Sequence, residues 1–87
     1  MVVKASWMWN VYMDNKRLSN LRPGESAVVL SLLSRGEMRR RLLDIGLIPD
    51  TVVECVGRSP LADPAAYLIR GKIVAIRDRD AYKIVVK

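Results

Sequence analysis

The stretch that decides the fold runs from Ser34 to Thr51 and reads Ser-Arg-Gly-Glu-Met-Arg-Arg-Arg-Leu-Leu-Asp-Ile-Gly-Leu-Ile-Pro-Asp-Thr. Its first residues predict the start of a helix, because Ser34 and Glu37 have the spacing of a capping box. Its last residues predict the end of that helix. Gly46 is typical of a left-handed C-terminal cap, and Pro49 cannot continue a helix.

The predicted helix covers about residues 35–45 and has one apolar face. Met38, Leu42 and Ile45 recur at helical spacing, so their side chains share that face. A helix of this length is not stable alone in water. It must therefore pack on a larger body, which the rest of the chain has to supply.

Short apolar runs around this helix predict that body to be a β barrel. A glycine at position 71 predicts a tight hairpin, and a helical turn is expected near 78–82. Five such short strands cannot form a useful sandwich, whereas a small barrel removes exposed edges. We therefore predict a mainly β fold, a small SH3-like barrel of about five strands with the helix inserted between the first two. The predicted strands are 26–33, 51–58, 66–69, 73–77 and 84–86.

The first twenty residues differ in composition from the rest. Residues 1–20 contain both tryptophans and neither glycine nor proline. Trp7 fits a strand alternation with Trp9 and also a helical stripe with Val11, so the period is ambiguous. We predict an N-terminal extension of uncertain structure at 1–20, followed by one domain at 21–87. The extension is either an element packed on the domain, an arm for partner binding or self-association, or disordered.

The composition favours no catalytic chemistry. The chain has no histidine, and its one cysteine, Cys55, alternates with apolar residues on a predicted strand, which indicates a core position. Carboxylates are scattered, so no local spacing predicts a metal site. One cysteine excludes an internal disulfide, no apolar run is long enough to span a membrane, and a cytoplasmic location is expected. We predict that the protein is not an enzyme.

The basic charge of the chain is spread along the sequence, with one local cluster. The formal net charge is +6, and the only local cluster is Arg39–Arg41. Glu37 with Arg41 and Asp44 with Arg40 have the spacing of intrahelical ion pairs. Three interpretations stay open for this face: a solvated helix surface, a docking surface for an acidic protein partner, and a nucleic-acid contact.

Several blocks of sequence, in this order and spacing, resemble the ferrous iron transport protein A (FeoA) family over about residues 18–87. The blocks are Leu21-Arg-Pro-Gly-Glu25, Arg40-Arg-Leu-Leu-Asp-Ile-Gly-Leu-Ile-Pro49, Ser59-Pro-Leu-Ala-Asp-Pro64, Ile69-Arg-Gly71 and Ile76-Arg77. Two positions depart from the family pattern, since Asp50 and Ala62 stand where the family usually has glycine. Alanine tolerates left-handed backbone less well than aspartate.

The resemblance implies a small SH3-like barrel of the bacterial cytosol that assists the membrane GTPase permease importing ferrous iron. It would act by docking on the cytosolic region of that permease, at the periphery of the inner membrane. Nucleic acid binding through Arg39–Arg41 and a metal-sensing domain are the alternatives. No cofactor is expected beyond weak, transient divalent metal binding. Candidate partner-binding residues are Arg35, Arg39, Arg40 and Leu43 on the helix and Pro60, Leu61 and Asp63 in the 59–64 loop.

Overall fold

The structure is a computed structural model and describes residues 16–87, in which short strands alternate with turns and two helices. The strands are β1 (Lys16–Arg17), β2 (Ser26–Leu32), β3 (Val52–Arg58), β4 (Ala65–Ile69), β5 (Lys72–Ile76) and β6 (Ile84–Val86). The helices are α1 (Gly36–Ile45) and α2 (Asp78–Ala81), and a 3₁₀ turn covers Leu18–Asn20.

The strands form one antiparallel sheet in the order β1-β6-β2-β3-β4-β5. The prediction of a mainly β fold is confirmed, and the helix predicted between the first two strands lies between β2 and β3, because β1 precedes them. Six strands are present in the described region rather than about five, because β1 consists of two polar residues that give no apolar signal. Within residues 16–87 the ladder does not close between β1 and β5, so these two strands are its ends.

The hairpin between β4 and β5 shows how closely turn chemistry sets the register. Ile69 pairs with Lys72 across a two-residue turn made by Arg70 and Gly71. Both turn residues have positive φ angles, 51° and 84°. Such turns match the right-handed twist of the paired strands, and glycine adopts them without a steric penalty.

The inward faces of the strands form the core around Tyr67. Val53 and Cys55 are fully buried, as the alternation along β3 predicts. Tyr67 is also fully buried, and its hydroxyl donates a hydrogen bond of 3.4 Å to the carbonyl of Leu18. Burial raises the pKa of this phenol to about 12. The predicted core position of Cys55 is therefore confirmed.

Helix α1 packs on this core through the predicted face. Leu42 is buried, and Met38 and Ile45 are half-buried against the core cluster. The predicted C-terminal cap is also confirmed. Gly46 has a φ of 113°, its N–H donates to the carbonyls of Leu42 and Leu43, and the N–H of the next residue donates to Leu42.

The predicted start of α1 is wrong in its chemistry. Arg35 is the N-terminal cap and its side chain makes no capping bond, so Ser34 and Glu37 form no capping box. The chain enters the helix through Gly36 at a φ of 66°, a left-handed conformation that glycine adopts readily. Ser34 is instead buried, and its hydroxyl has no hydrogen-bond partner.

Most of the predicted N-terminal extension lies outside the described residues, including Trp7 and Trp9. Its last five residues form β1 and the 3₁₀ turn. Leu18 in that turn is fully buried in the core, and β1 pairs with β6. A separate extension therefore stays a prediction only for the residues before Lys16.

The two departures from the family pattern lie where the backbone demands glycine-like freedom. Asp50, which follows Pro49, has a φ of 75°, and Ala62 has a φ of 71°. Aspartate adopts this conformation more readily than most residues, whereas the Cβ of alanine is strained there. The fold keeps both turns despite these substitutions.

Candidate functional site

The 59–64 loop is joined to the rest of the fold by the side chain of Arg58, at the end of β3. Its Nη1 donates to Oδ1 of Asp78 at 3.0 Å and to the carbonyl of Ala62 at 3.0 Å. Its Nη2 donates to the carbonyls of Ser19 at 2.7 Å and Leu21 at 3.1 Å. The hydrogen bond to Asp78 raises the pKa of the guanidinium. One arginine thus connects the loop, the 3₁₀ turn and α2.

The candidate residues of this loop divide into one that supports the fold and two that face solvent. Oδ1 of Asp63 accepts a hydrogen bond of 3.0 Å from the N–H of Asp78, at the start of α2. Pro60 is exposed, and Leu61 is 89% exposed. An apolar side chain held that far into solvent on an anchored loop is available to a partner.

The candidate residues of α1 divide in the same way. Arg39, a candidate partner-binding residue, donates from Nη1 to the carbonyl of Leu32 at 2.9 Å. Leu43 is half-buried against the core cluster. Arg35 and Arg40 are exposed.

The predicted intrahelical ion pairs, Glu37 with Arg41 and Asp44 with Arg40, are absent. In the described part of the chain, the one salt bridge is that between Arg58 and Asp78. Exposed pairs gain little over water and cost side-chain entropy, which explains why spacing alone did not create them. The arginines of α1 are therefore not neutralised along the helix.

A groove that the sequence did not predict lies between α1 and the segment formed by β5 and α2. Its volume is about 270 Å³. Helix α1 supplies an apolar wall, and the opposite side carries Arg77 and Arg79. Its lining residues are Met38, Arg41, Leu42, Ile45, Ala75, Ile76, Arg77, Arg79 and Asp80.

Of the two predicted sets, the structure connects only the 59–64 loop to α2. The predicted residues of α1, which are Arg35, Arg39, Arg40 and Leu43, do not line the groove. The 59–64 loop bonds to the first residue of α2 through Asp63, while the groove beside α1 includes Arg79 and Asp80. Arg77 and Arg79 were not predicted from the sequence. Each is followed by an aspartate, so the net charge of this segment is zero and no basic cluster stands out. Arg58 gave no local signal, because all its partners are distant in sequence except Ala62.

The side chains of residues 16–87 do not form a site for a resident metal ion. Among residues 16–87, no three histidine, cysteine, aspartate or glutamate side chains converge on one point. Asp78 is paired with Arg58, and Oδ1 of Asp63 accepts a backbone hydrogen bond, so each of these carboxylates already has a structural partner. In the same residues, no helix has the length and apolar character needed to cross a membrane.

Comparison with known proteins agrees with the fold and the sequence blocks. A curated relative, the Fe(2+) transport protein A/Fe(2+) transporter FeoB fusion protein of Porphyromonas gingivalis, is 38% identical over 71 residues, which are 82% of this chain. The match spans only 8% of that relative's length.

Two solved structures share the architecture closely. The FeoA protein of Chlorobium tepidum superposes with a TM-score of 0.77 and 32% identity, over 82% of this chain and 68% of that one. Zinc-complexed FeoA of Stenotrophomonas maltophilia, described as a prokaryotic SH3 domain protein, superposes with a TM-score of 0.74 and 28% identity. The match covers 83% of this chain and 89% of that one. The SH3-like prediction is thereby confirmed.

The family model for the FeoA domain matches residues 16–87, which is the whole of the described structure. The match begins at β1 rather than at residue 21, in agreement with the packing of the 3₁₀ turn on the core. The chain belongs to the FeoA domain family.

Proposed function

We propose that this protein is a non-enzymatic accessory protein of bacterial ferrous iron uptake, which docks on the cytosolic GTPase region of a ferrous iron permease. The observation that carries the proposal is the fusion of a similar domain to the transporter FeoB in one polypeptide. A covalent link raises the effective concentration of one module beside the other, which is useful where the two modules bind each other. A separate chain would have to make the same contact by its own affinity.

Two side chains that could perform chemistry, Cys55 and Asp78, are used by the fold, which supports an accessory role. Cys55 is buried in the core, and Asp78 is paired with Arg58. By contrast, several exposed side chains do not contribute to the core. Leu61 and Pro60 project from an anchored loop, and Arg35 and Arg40 extend from α1. Exposed side chains of this kind are available for contacts with a partner, which favours docking as the function.

The proposal is tested by measuring binding of the purified full chain to the cytosolic region of a ferrous iron permease from the same organism. Biolayer interferometry at low ionic strength should show saturable binding. Leu61→Asp should weaken it, because a carboxylate would replace the exposed apolar contact. Absence of binding by the wild-type protein, with circular dichroism showing it folded, would contradict direct docking.

The two other classes of function remain predictions with their own signatures. A nucleic-acid-binding barrel would lose affinity steeply as salt is added, since counterions are released on binding. A metal-sensing domain would show a higher melting temperature with Fe²⁺, Mn²⁺ or Zn²⁺, since a ligand that binds the folded state stabilises it. Both measurements use the same purified chain.

A further inference from the structure

The groove beside α1 runs along the edge of the sheet. Ala75 and Ile76 both line it, although consecutive residues of a strand point to opposite faces. A depression bordered by both must lie beside the strand rather than over one face. Within the described residues β5 pairs with β4 alone, so its other side can offer backbone groups to an added strand.

The charges around the groove have one dominant sign. Arg41, Arg77 and Arg79 line it with exposed side chains, and Asp80 is the one carboxylate among the lining residues. None of the three arginines has a carboxylate oxygen within 4 Å in the part of the chain described. A partner with acidic side chains would meet these cations without displacing an existing ion pair.

The apolar side of the groove is provided by α1. Met38 and Ile45 are half-buried against the core and also line the groove. They have partial contact with protein on one side and open space on the other. Apolar side chains of a bound segment would complete their burial, at roughly 25 cal/mol for each Å² removed from water.

We propose that an extended acidic segment of the permease's cytosolic region binds in this groove and adds a strand to β5. Its backbone would pair with β5, its apolar side chains would contact Met38 and Ile45, and its carboxylates would face the three arginines. Strand addition with side-chain pockets is an established way to recognise extended segments. This inference rests on the proposed function and names the surface and the partner chemistry.

A charge-reversal experiment on the full-length protein tests the inference. The variant Arg41→Glu/Arg77→Glu/Arg79→Glu should bind the permease's cytosolic region at least about tenfold more weakly than wild type. The matched control is Lys16→Glu/Arg22→Glu/Lys83→Glu, which changes the net charge equally at exposed positions outside the groove and outside β5. The control should change the affinity less than about threefold.

A second pair of variants tests the groove without altering charge. Ala75→Trp places a large side chain in the groove, and Val52→Trp places the same side chain at an exposed position of β3, outside the groove and outside β5. Both positions are exposed, and aromatic residues are favourable in strands, so both variants should fold. Only Ala75→Trp should reduce binding.

The outcomes separate this inference from the proposed function. If wild type binds and both charge-reversal variants lose affinity equally, or Ala75→Trp binds normally, the groove is not the site while docking stands. If wild type does not bind, the docking proposal itself fails and the inference fails with it. Wild-type binding of an RNA or DNA oligonucleotide that is lost in the groove variant, without binding of the permease region, would assign the arginines to another partner.

Discussion

Arg58 and Asp78 form an ion pair of 3.0 Å across 20 residues of sequence, and this pair joins the end of β3 to the start of α2. The same guanidinium donates to the backbone carbonyls of Ser19, Leu21 and Ala62. Few side chains other than arginine have enough donors in a rigid fork to make all these bonds. The pair is therefore a structural connection as well as an electrostatic one.

Replacing Arg58 with methionine should lower the free energy of unfolding by about 2 to 3 kcal/mol, because it removes several charge-assisted bonds and leaves carbonyls without donors. Urea denaturation followed by circular dichroism measures this change. Asp78→Asn is the comparison, and it should cost only about 1 kcal/mol, since the bonds from Arg58 to the carbonyls remain. Equal losses for the two variants would mean that the carbonyl bonds contribute nothing.

The strained loop offers a simple way to stabilise the protein. Ala62→Gly should raise the free energy of unfolding by about 0.5 to 1 kcal/mol, because a left-handed alanine costs more than the extra chain entropy of glycine. Asp50→Gly is the control at the other left-handed position and should change stability less, because aspartate tolerates this conformation. If Ala62→Gly lowers the free energy of unfolding in thermal or urea denaturation, the proposed strain at Ala62 is wrong.

The buried hydroxyl of Ser34 distinguishes two accounts of the start of α1. A capping box would make Ser34→Ala cost about 1 kcal/mol. The structure gives this hydroxyl no partner, so we expect the substitution to be neutral or stabilising. Glu37→Gln serves as the companion variant and should also be neutral. If Ser34→Ala instead lowers the unfolding free energy by about 1 kcal/mol in urea denaturation, the capping box predicted from the sequence is favoured.

The two ends of α1 show which structural features a sequence can predict. The end at Gly46 depends on the backbone freedom of one residue, so the glycine and the following proline predicted it correctly. The start depends on the left-handed conformation of Gly36 and on the burial of Ser34, and the spacing of Ser34 and Glu37 indicates neither of these. The ion pairs predicted along α1 failed for a related reason, since spacing permits a pair without making it favourable.

The close approach of Gly46 and Arg70 predicts a difference between two glycines. A Cβ on Gly46 would lie 2.6 Å from Cδ of Arg70, whereas one on Gly24 would have no atom within 4 Å. Both glycines have positive φ angles, so alanine at either should cost about 1 to 2 kcal/mol. Gly46→Ala should cost more than Gly24→Ala in urea unfolding. The excess should disappear in the Arg70→Ala background if the contact causes it.

Tyr67 predicts a loss of stability in strong base. Its folded pKa of about 12 exceeds the ordinary 10.0, so the folded state favours the neutral phenol. The resulting stabilisation is complete below pH 10 and is lost as the pH rises through 12, by up to about 2 to 3 kcal/mol in total. Tyr67→Phe should therefore show a shallower fall in unfolding free energy over this range. Tyr82→Phe, at an exposed phenol, should keep the wild-type slope.

The candidate site was less predictable than the fold. Leu61 could be found because prolines bound its loop, and its exposure agrees with that reasoning. The groove could not be found, because it exists only where α1, β5 and α2 meet. Arg77 and Arg79 belong to that groove through tertiary structure, and no local pattern marks them as neighbours of Arg41.

The pairing of Lys16 with Val86 places the first and last described segments side by side at one corner of the sheet. Domains whose ends meet in this way tolerate circular permutation and insertion into a host chain. A short linker from Lys87 to Lys16, with new ends opened beside the exposed Leu61, should therefore still fold. The same geometry lets one attachment point on a larger polypeptide carry the whole domain without disturbing its core.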